Sequence, residues 1–284
     1  MSAQFTTAMA SLLTAGLLAT SAIAAPITLV NDPFTDGGRT NGTDPQDIAF
    51  FNSGFTGGGS SFGVENDPVL ASNALRTVPG TFTFVKFVGF FDAVTLAAGD
   101  SLTLSFNYRV ESAPNQASAL RFGLLNSAGT RQTSDGSSTL AGVTRTDDSG
   151  YGIATNIGAT GSNTTTNREP AGDDTLGGSN FTPFGSNAAS VVHDPNTVYS
   201  ATLTLARTAT GLDLSGSLAG VTIPVRSDAT PVTSTFDQIA FGTGNASFNF
   251  SIDNVSVTTT AVPEPTAMAL MAAAVPLLIR RRRV

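Results

Sequence analysis

The chain has no cysteine, no tryptophan, a single histidine and a single lysine among its 284 residues. Without cysteine there is no disulfide framework, thiolate zinc site or thiol nucleophile. Charged residues make up 12% of the chain, about half the usual quarter. Surface helices draw on Glu, Lys and Arg, so four Glu and one Lys argue against a helical bundle. The formal charge of −7 argues against a nucleic-acid partner, because phosphate contacts need clustered Lys and Arg. What the chain has instead is Gly, Ser, Thr, Asn and 19 Phe.

The two ends read as addresses rather than fold. The apolar run from Ala8 to Ile23 closes on Ala22-Ile23-Ala24. This small-x-small pattern suits signal peptidase, so residues 1–24 are expected to be a helical secretory signal peptide. At the other end, Val262-Pro263-Glu264-Pro265 precedes an apolar stretch from Thr266 to Ile279 and four arginines, Arg280, Arg281, Arg282 and Arg283. Fourteen residues of helix reach roughly 21 Å, short of the ~30 Å hydrocarbon core, which suits a transient inner-membrane anchor. The arginines belong on the cytoplasmic side and the preceding domain outside. This order of motif, apolar segment and arginine cluster at the extreme terminus (residues 262–284) resembles the PEP-CTERM sorting signal of Gram-negative bacteria. The resemblance implies recognition by an exosortase, cleavage near the motif, and residence at the cell surface or in an exopolysaccharide or biofilm matrix.

Between the ends, residues 25–257 form the expected exported domain, followed by a Thr-rich linker at 258–261. Four of the 14 basic residues and one of the 21 acids lie in the sorting segment, so the remainder carries about −10. Apolar residues there recur with period two. Leu102, Leu104, Phe106, Tyr108 and Val110 alternate with polar neighbours, as do Tyr199 to Leu205 and Leu212 to Leu218. Phe248, Phe250 and Ile252 share one phase, whereas Val255 and Val257 take the other, which predicts a β-bulge at Asp253-Asn254. Denser runs at Val85 to Phe91 and Arg121 to Leu125 predict strands buried on both faces, and Tyr151 to Ile157 a further strand. Turn signals separate these runs, and the spacing predicts an all-β, two-sheet antiparallel sandwich. Asn31–Ser61 and Thr130–Ser190 are poor in strand signals. The opening Asp32-Pro33-Phe34-x-Asp36-Gly37, the central strands and the closing Ile252-Asp253-Asn254-Val255-x-Val257 resemble concanavalin A/laminin-G-like jelly rolls. In such folds the first and last strands pair, which would bring Asn31–Asp36 near Asp253.

Each candidate for chemistry carries a plainer alternative. Laminarinase-type jelly rolls carry Glu-x-Asp-x-x-Glu on one strand, because a retaining glycosidase needs two carboxyls about 5 Å apart. Here Glu65-Asn66-Asp67 runs into Pro68 and Leu70, so that motif fails, and Glu111 and Glu169 lack partners at strand spacing. No catalytic residue is expected. His193 begins His193-Asp194-Pro195-Asn196 and reads as an exposed turn residue. Hard cations take six to eight oxygens. Asn31/Asp32/Asp36, Asp44/Asp47 and Asp173/Asp174 could supply them, and Asp253 could join the first cluster. Calcium at Asp32, Asp36 and Asp253 is the metal reading, and solvated Asx-turns are the alternative. The expected partners are signal peptidase, exosortase and extracellular polysaccharide. Sequence therefore leaves three functions in order: a structural or adhesive matrix protein, a lectin-like module with or without calcium, and a glycosidase.

Overall fold

Alternation of the kind in Ser101–Val110, apolar in and polar out, can bury one face only if a second sheet covers it. The computed structural model of the chain describes residues 25–40, 46–53, 61–78, 85–111, 116–136, 146–157, 164–172, 175–177, 181–185, 193–243 and 248–261. Their strands run β1 (Ile27–Asp32), β2 (Phe50–Asn52), β3 (Ser61–Asp67), β4 (Ser72–Val78), β5 (Lys86–Thr95), β6 (Ser101–Val110), β7 (Gln116–Asn126) and β8 (Ser149–Ile157). They continue as β9 (Thr164–Glu169), β10 (Thr182–Pro183), β11 (Tyr199–Arg207), β12 (Leu212–Leu218), β13 (Val221–Asp228), β14 (Thr235–Thr243) and β15 (Phe250–Thr260). One sheet is ordered β13-β12-β11-β6-β15-β4-β3, with β1 also on β15, and the other β10-β9-β8-β7-β14-β5-β2. The described residues contain no helix. The expected signal helix and C-terminal apolar helix lie outside them.

Aromatic side chains from both sheets meet in the core. Phe106 of β6 lies edge-on to Phe122 of β7 and to Phe241 of β14, with ring centroids 4.9 Å apart in each pair. Phe87 of β5 stacks on Phe250 of β15 at 5.8 Å. Such offset and edge-to-face pairs add to area burial.

The phase flip in the last strand has a structural cause. Phe250 to Ile252 pair with β4, whereas Val255 to Thr259 pair with β1. Between them Asn254 takes φ 52° and turns outward, so the inward phase restarts one residue later. Asn is among the few residues that tolerate this conformation. The pairing of first and last strands also occurs as expected, with Ile27 opposite Thr259 and Asp32 opposite Val255. One boundary is corrected. The expected linker at 258–261 begins inside β15, which runs to Thr260, because β1 pairs with Thr258 and Thr259 and Thr favours strand. Ile27–Thr259 forms one compact unit.

The dense runs are buried on both faces, as their composition predicts, and the second face has its own cover. Val88, Leu125, Ala154 and Ala240 form a second apolar layer with Leu176 and Phe181 on the outer side of the seven-stranded sheet.

Candidate functional site

Strand pairing brings Asp32 close to the last strand, yet the expected group of Asp32, Asp36 and Asp253 does not assemble. Asp253 turns to β4, where its Oδ2 accepts the Ser72 hydroxyl at 2.6 Å and its Oδ1 the Asn254 amide at 2.7 Å. Burial raises its pKa, against those two hydrogen bonds and with the Asp67 charge adding. Asp36 is exposed and caps its own turn, accepting the Gly38 amide at 2.8 Å. Asp32 is 1% exposed, and its Oδ1 accepts the Phe34 amide at 2.9 Å. What faces Asp32 is Asp47, a member of a different sequence cluster. Burial and this neighbouring carboxyl, against the Phe34 amide, push the Asp32 pKa up to about 8. Among the described residues no three His, Cys, Asp or Glu side chains converge to hold a metal. Asp44, Asp173 and Asp174 lie outside the described residues.

Four further acids are held by structural donors. Glu65 and Glu111 both engage Arg76, at 2.8 and 2.5 Å. Both Asp67 oxygens accept Arg109 Nη1 at 2.8 Å. Glu169 accepts the Leu176 amide at 2.7 Å. His193 corrects the sequence reading: it is 2% exposed, not an exposed turn residue. Its Nε2 lies 2.6 Å from the Tyr108 hydroxyl, and its ring packs edge-on to Tyr199. The Tyr199 hydroxyl in turn accepts the Asp194 amide, so the turn folds back over the start of β11. Burial holds the imidazole at about 4, so it stays neutral near pH 7. An Asp-Pro turn signal alone cannot tell that two tyrosines will close over the preceding residue.

Among the described residues, two surfaces are the candidates for meeting a ligand. The outer face of the seven-stranded sheet is occupied by the chain's own segment at Thr175–Gly177 and by Phe181. Arg121 Nη1 donates to the Leu176 carbonyl at 2.5 Å, and Asn167 Nδ2 to the Phe181 carbonyl at 3.1 Å. Buried Asp148 accepts Thr175 and Gln238 at 2.6 and 2.9 Å. Gly152 leaves room for this cover, since a Cβ there would lie 3.2 Å from the Phe181 ring. The second surface is a cavity of about 500 Å³ between β1, the segment before β2, and β5. Its lining includes Gln46, Asp47, Phe90, Phe91, Asp92 and Arg131. Arg131 is fixed there by donating to the Phe91 carbonyl at 2.6 Å. The sequence reading missed this cavity because its polar groups come from four distant stretches.

The predicted signal-peptidase residues Ala22 and Ala24, and the sorting residues Pro263, Glu264, Pro265 and Arg280 to Arg283, lie outside the described residues.

No protein-family model and no curated protein matches the chain. Among solved structures, an endo-1,3-beta-glucanase from Streptomyces sioyaensis superposes with TM-score 0.49 and 15% identity, over 86% of this chain and 100% of that one. Lectin UEA-II complexed with galactose gives TM-score 0.47 and 11% identity, over 85% of this chain and 100% of the lectin. A sialidase gives TM-score 0.44 and 13% identity over 81% of this chain, which spans only 18% of that enzyme's length. With TM-scores under 0.5, the fold assignment rests on the chain's own strand order.

Proposed function

We propose that the chain is an exported, exosortase-sorted protein of the cell surface or extracellular matrix, and that its sandwich is a non-catalytic structural or adhesive element among polysaccharides. The observation that carries this reading is the pairing of the two chain ends. Ile27, just after the signal peptide, lies opposite Thr259, just before the sorting segment. Both processed ends therefore leave the sandwich at one corner. The other end of β15, where the Glu111 amide meets the Asn249 carbonyl, lies roughly 35 Å along the strand. A tether at the first corner leaves the second for contact. The absence of catalysis is supported by the acids: Glu65, Asp67, Glu111 and Glu169 are all held by structural donors. Mass spectrometry of the surface-localised protein should find a C-terminus near Pro263–Pro265. Recovery of intact Arg283-Val284 would overturn the sorting reading.

A second reading, lectin-like carbohydrate binding, is favoured by the cavity beside β5. It sets the Phe90 ring among the amide of Gln46 and the charges of Asp47, Asp92 and Arg131. An aromatic face with a few convergent polar groups is what a sugar-sized ligand needs. Glycan arrays run with calcium and with chelator should show binding that Asp92→Ala weakens at least tenfold. Binding untouched by that change would place any sugar site elsewhere.

A further inference from the structure

The cavity beside β5 has a wall rich in hydrogen-bond acceptors. Asp47, half-buried, and Asp92, exposed, both stand on it. Gln46 commits Nε2 to the Thr28 carbonyl at 2.8 Å, so its Oε1 is the end left to meet a ligand, as a further acceptor. The wall's cation, Arg131, is already engaged. Its Nη2 donates to the Phe91 carbonyl at 2.6 Å, and its Nε lies 3.5 Å from Asp237 Oδ2. Asp237 is 5% exposed, so the Arg131 charge is balanced from behind the wall rather than from the cavity. Three acids therefore share one guanidinium here, and the cavity is left with net negative charge.

The backbone is shaped to make this wall. β5 and β14 pair regularly up to Phe90 opposite Gln238, and resume at Val94 opposite Phe236. Phe91, Asp92 and Ala93 therefore stand opposite the single residue Asp237. Such a bulge re-aims side chains, and bulges are over-represented next to functional sites. Here Phe91, 3% exposed, enters the core, while Asp92 comes out beside the half-buried Phe90. The same bulge holds the Phe91 carbonyl where Arg131 takes it. A volume of about 500 Å³ lies in the range of pockets for small organic ligands and far exceeds the room one water needs.

We propose that this cavity selects sugars that carry a free, protonated amine, with Asp92 and Asp47 as the counter-charges. The proposal rests on the carbohydrate reading of the cavity and adds which sugars it takes. A hydroxyl both donates and accepts, so a neutral sugar is indifferent to a wall of acceptors. An ammonium has three donors and no acceptor, and is the complement of such a wall in hydrogen bonding as well as in charge. N-acetylation removes the charge and two of the donors and adds a carbonyl acceptor. A uronic acid brings acceptors and negative charge to a wall of the same kind, and is repelled. Phe90 supplies an apolar surface on the same wall, against which the ring of a sugar or its ammonium can lie. Arg131 acts as a positioning residue, fixing the Phe91 carbonyl and with it the bulge that presents Asp92.

The test is calorimetric titration of the purified protein at pH 6, where a primary amine carries its proton. The titrants are a glucosamine disaccharide, its N-acetylated form, the matching glucose disaccharide and 1,4-diaminobutane. The free-amine sugar should bind about tenfold tighter than each of the other three, the effect of one charge-assisted hydrogen bond. Equal binding of the acetylated or the glucose form would overturn the selection and leave the carbohydrate reading standing. Failure of all the sugars to bind would overturn both. Diaminobutane binding as tightly as the amino sugar would show an amine site that reads no sugar, and would overturn the proposal. Asp92→Asn keeps the shape of an exposed side chain, so Tm should hold while the amine preference disappears and binding of the acetylated form stays. A full preference in Asp92→Asn would overturn the assignment. Asp194→Asn, on an exposed turn outside the cavity lining, is the control for general attraction to an acidic protein. It should keep the preference, and an equal loss there would overturn the proposal.

Discussion

Asn31-Asp32-Pro33 and Asn66-Asp67-Pro68 are the same tripeptide at two places in the chain, and the fold treats them oppositely. Each closes a strand, β1 and β3. Each Asp bends the chain in the same way: Asp32 Oδ1 accepts the Phe34 amide and Asp67 Oδ1 the Val69 amide, both at 2.9 Å. Both side chains are buried, at 1% and 4% exposure. The difference lies in what stands across from them. Burial pushes Asp67 up, but the Ser251 hydroxyl, the Leu70 and Val69 amides and Arg109 outweigh it, and the pKa falls below the usual carboxylate range. Asp32 meets another acid and is pushed up to about 8. Local sequence sets the turn, and the partner across the sheet sets the charge.

The strongest way to break the contrast is Arg109→Met. It leaves Asp67 buried and unpaired, and should cost about 3–5 kcal/mol in urea denaturation. Adding Asp67→Asn should recover much of that loss. A single variant losing under about 1 kcal/mol would show that Arg109 is no clamp.

The next effect is one of pH. The folded pKa of Asp32, about 8, lies above its unfolded 3.8, so the stability it contributes is lost as pH rises toward 8. His193 has a folded pKa of about 4 against 6.5, so stability is lost as pH falls through that window. The two oppose one another between pH 4 and 6.5, and only Asp32 acts above that. One proton over 1.5 pH units is about 2 kcal/mol. Melts should therefore show a plateau and then a fall from pH 6.5 to 8, and Asp32→Asn should flatten the fall.

The smallest effect belongs to a third Asp-Pro turn. Asp194 is exposed and accepts the Asn196 amide at 2.8 Å. Asp194→Ala should change stability by no more than about 0.5 kcal/mol. A larger loss would mean that the turn itself, rather than the buried partner, dominates all three sites.

Much of the sandwich was legible because period-two alternation is a local property. Ser101–Val110 and Tyr199–Arg207 emerged as strands whose inward residues are those the pattern names. Even the flip at Asn254 could be read, since a bulge shifts the phase by one residue. Strands β3, β4, β13 and β14 were not called out by the pattern. Their side chains are irregularly mixed, as in Val221–Asp228, where Pro224 and the exposed Val225 break the alternation at a sheet edge. The site was least legible. Asp47 gave no sign of lying against Asp32, and Arg109 sat on the polar phase of its strand with nothing to mark it as an ion-pair partner of Asp67.

By itself the sequence determined the class of fold and the turns, because periodicity and turn residues act over a few residues each. Tertiary structure alone decided which acids are neutralised, which imidazole is sealed from water and which carboxylates are left facing one another. Those outcomes depend on desolvation and on charges within a few ångströms, and such neighbours come from parts of the chain that no local pattern links.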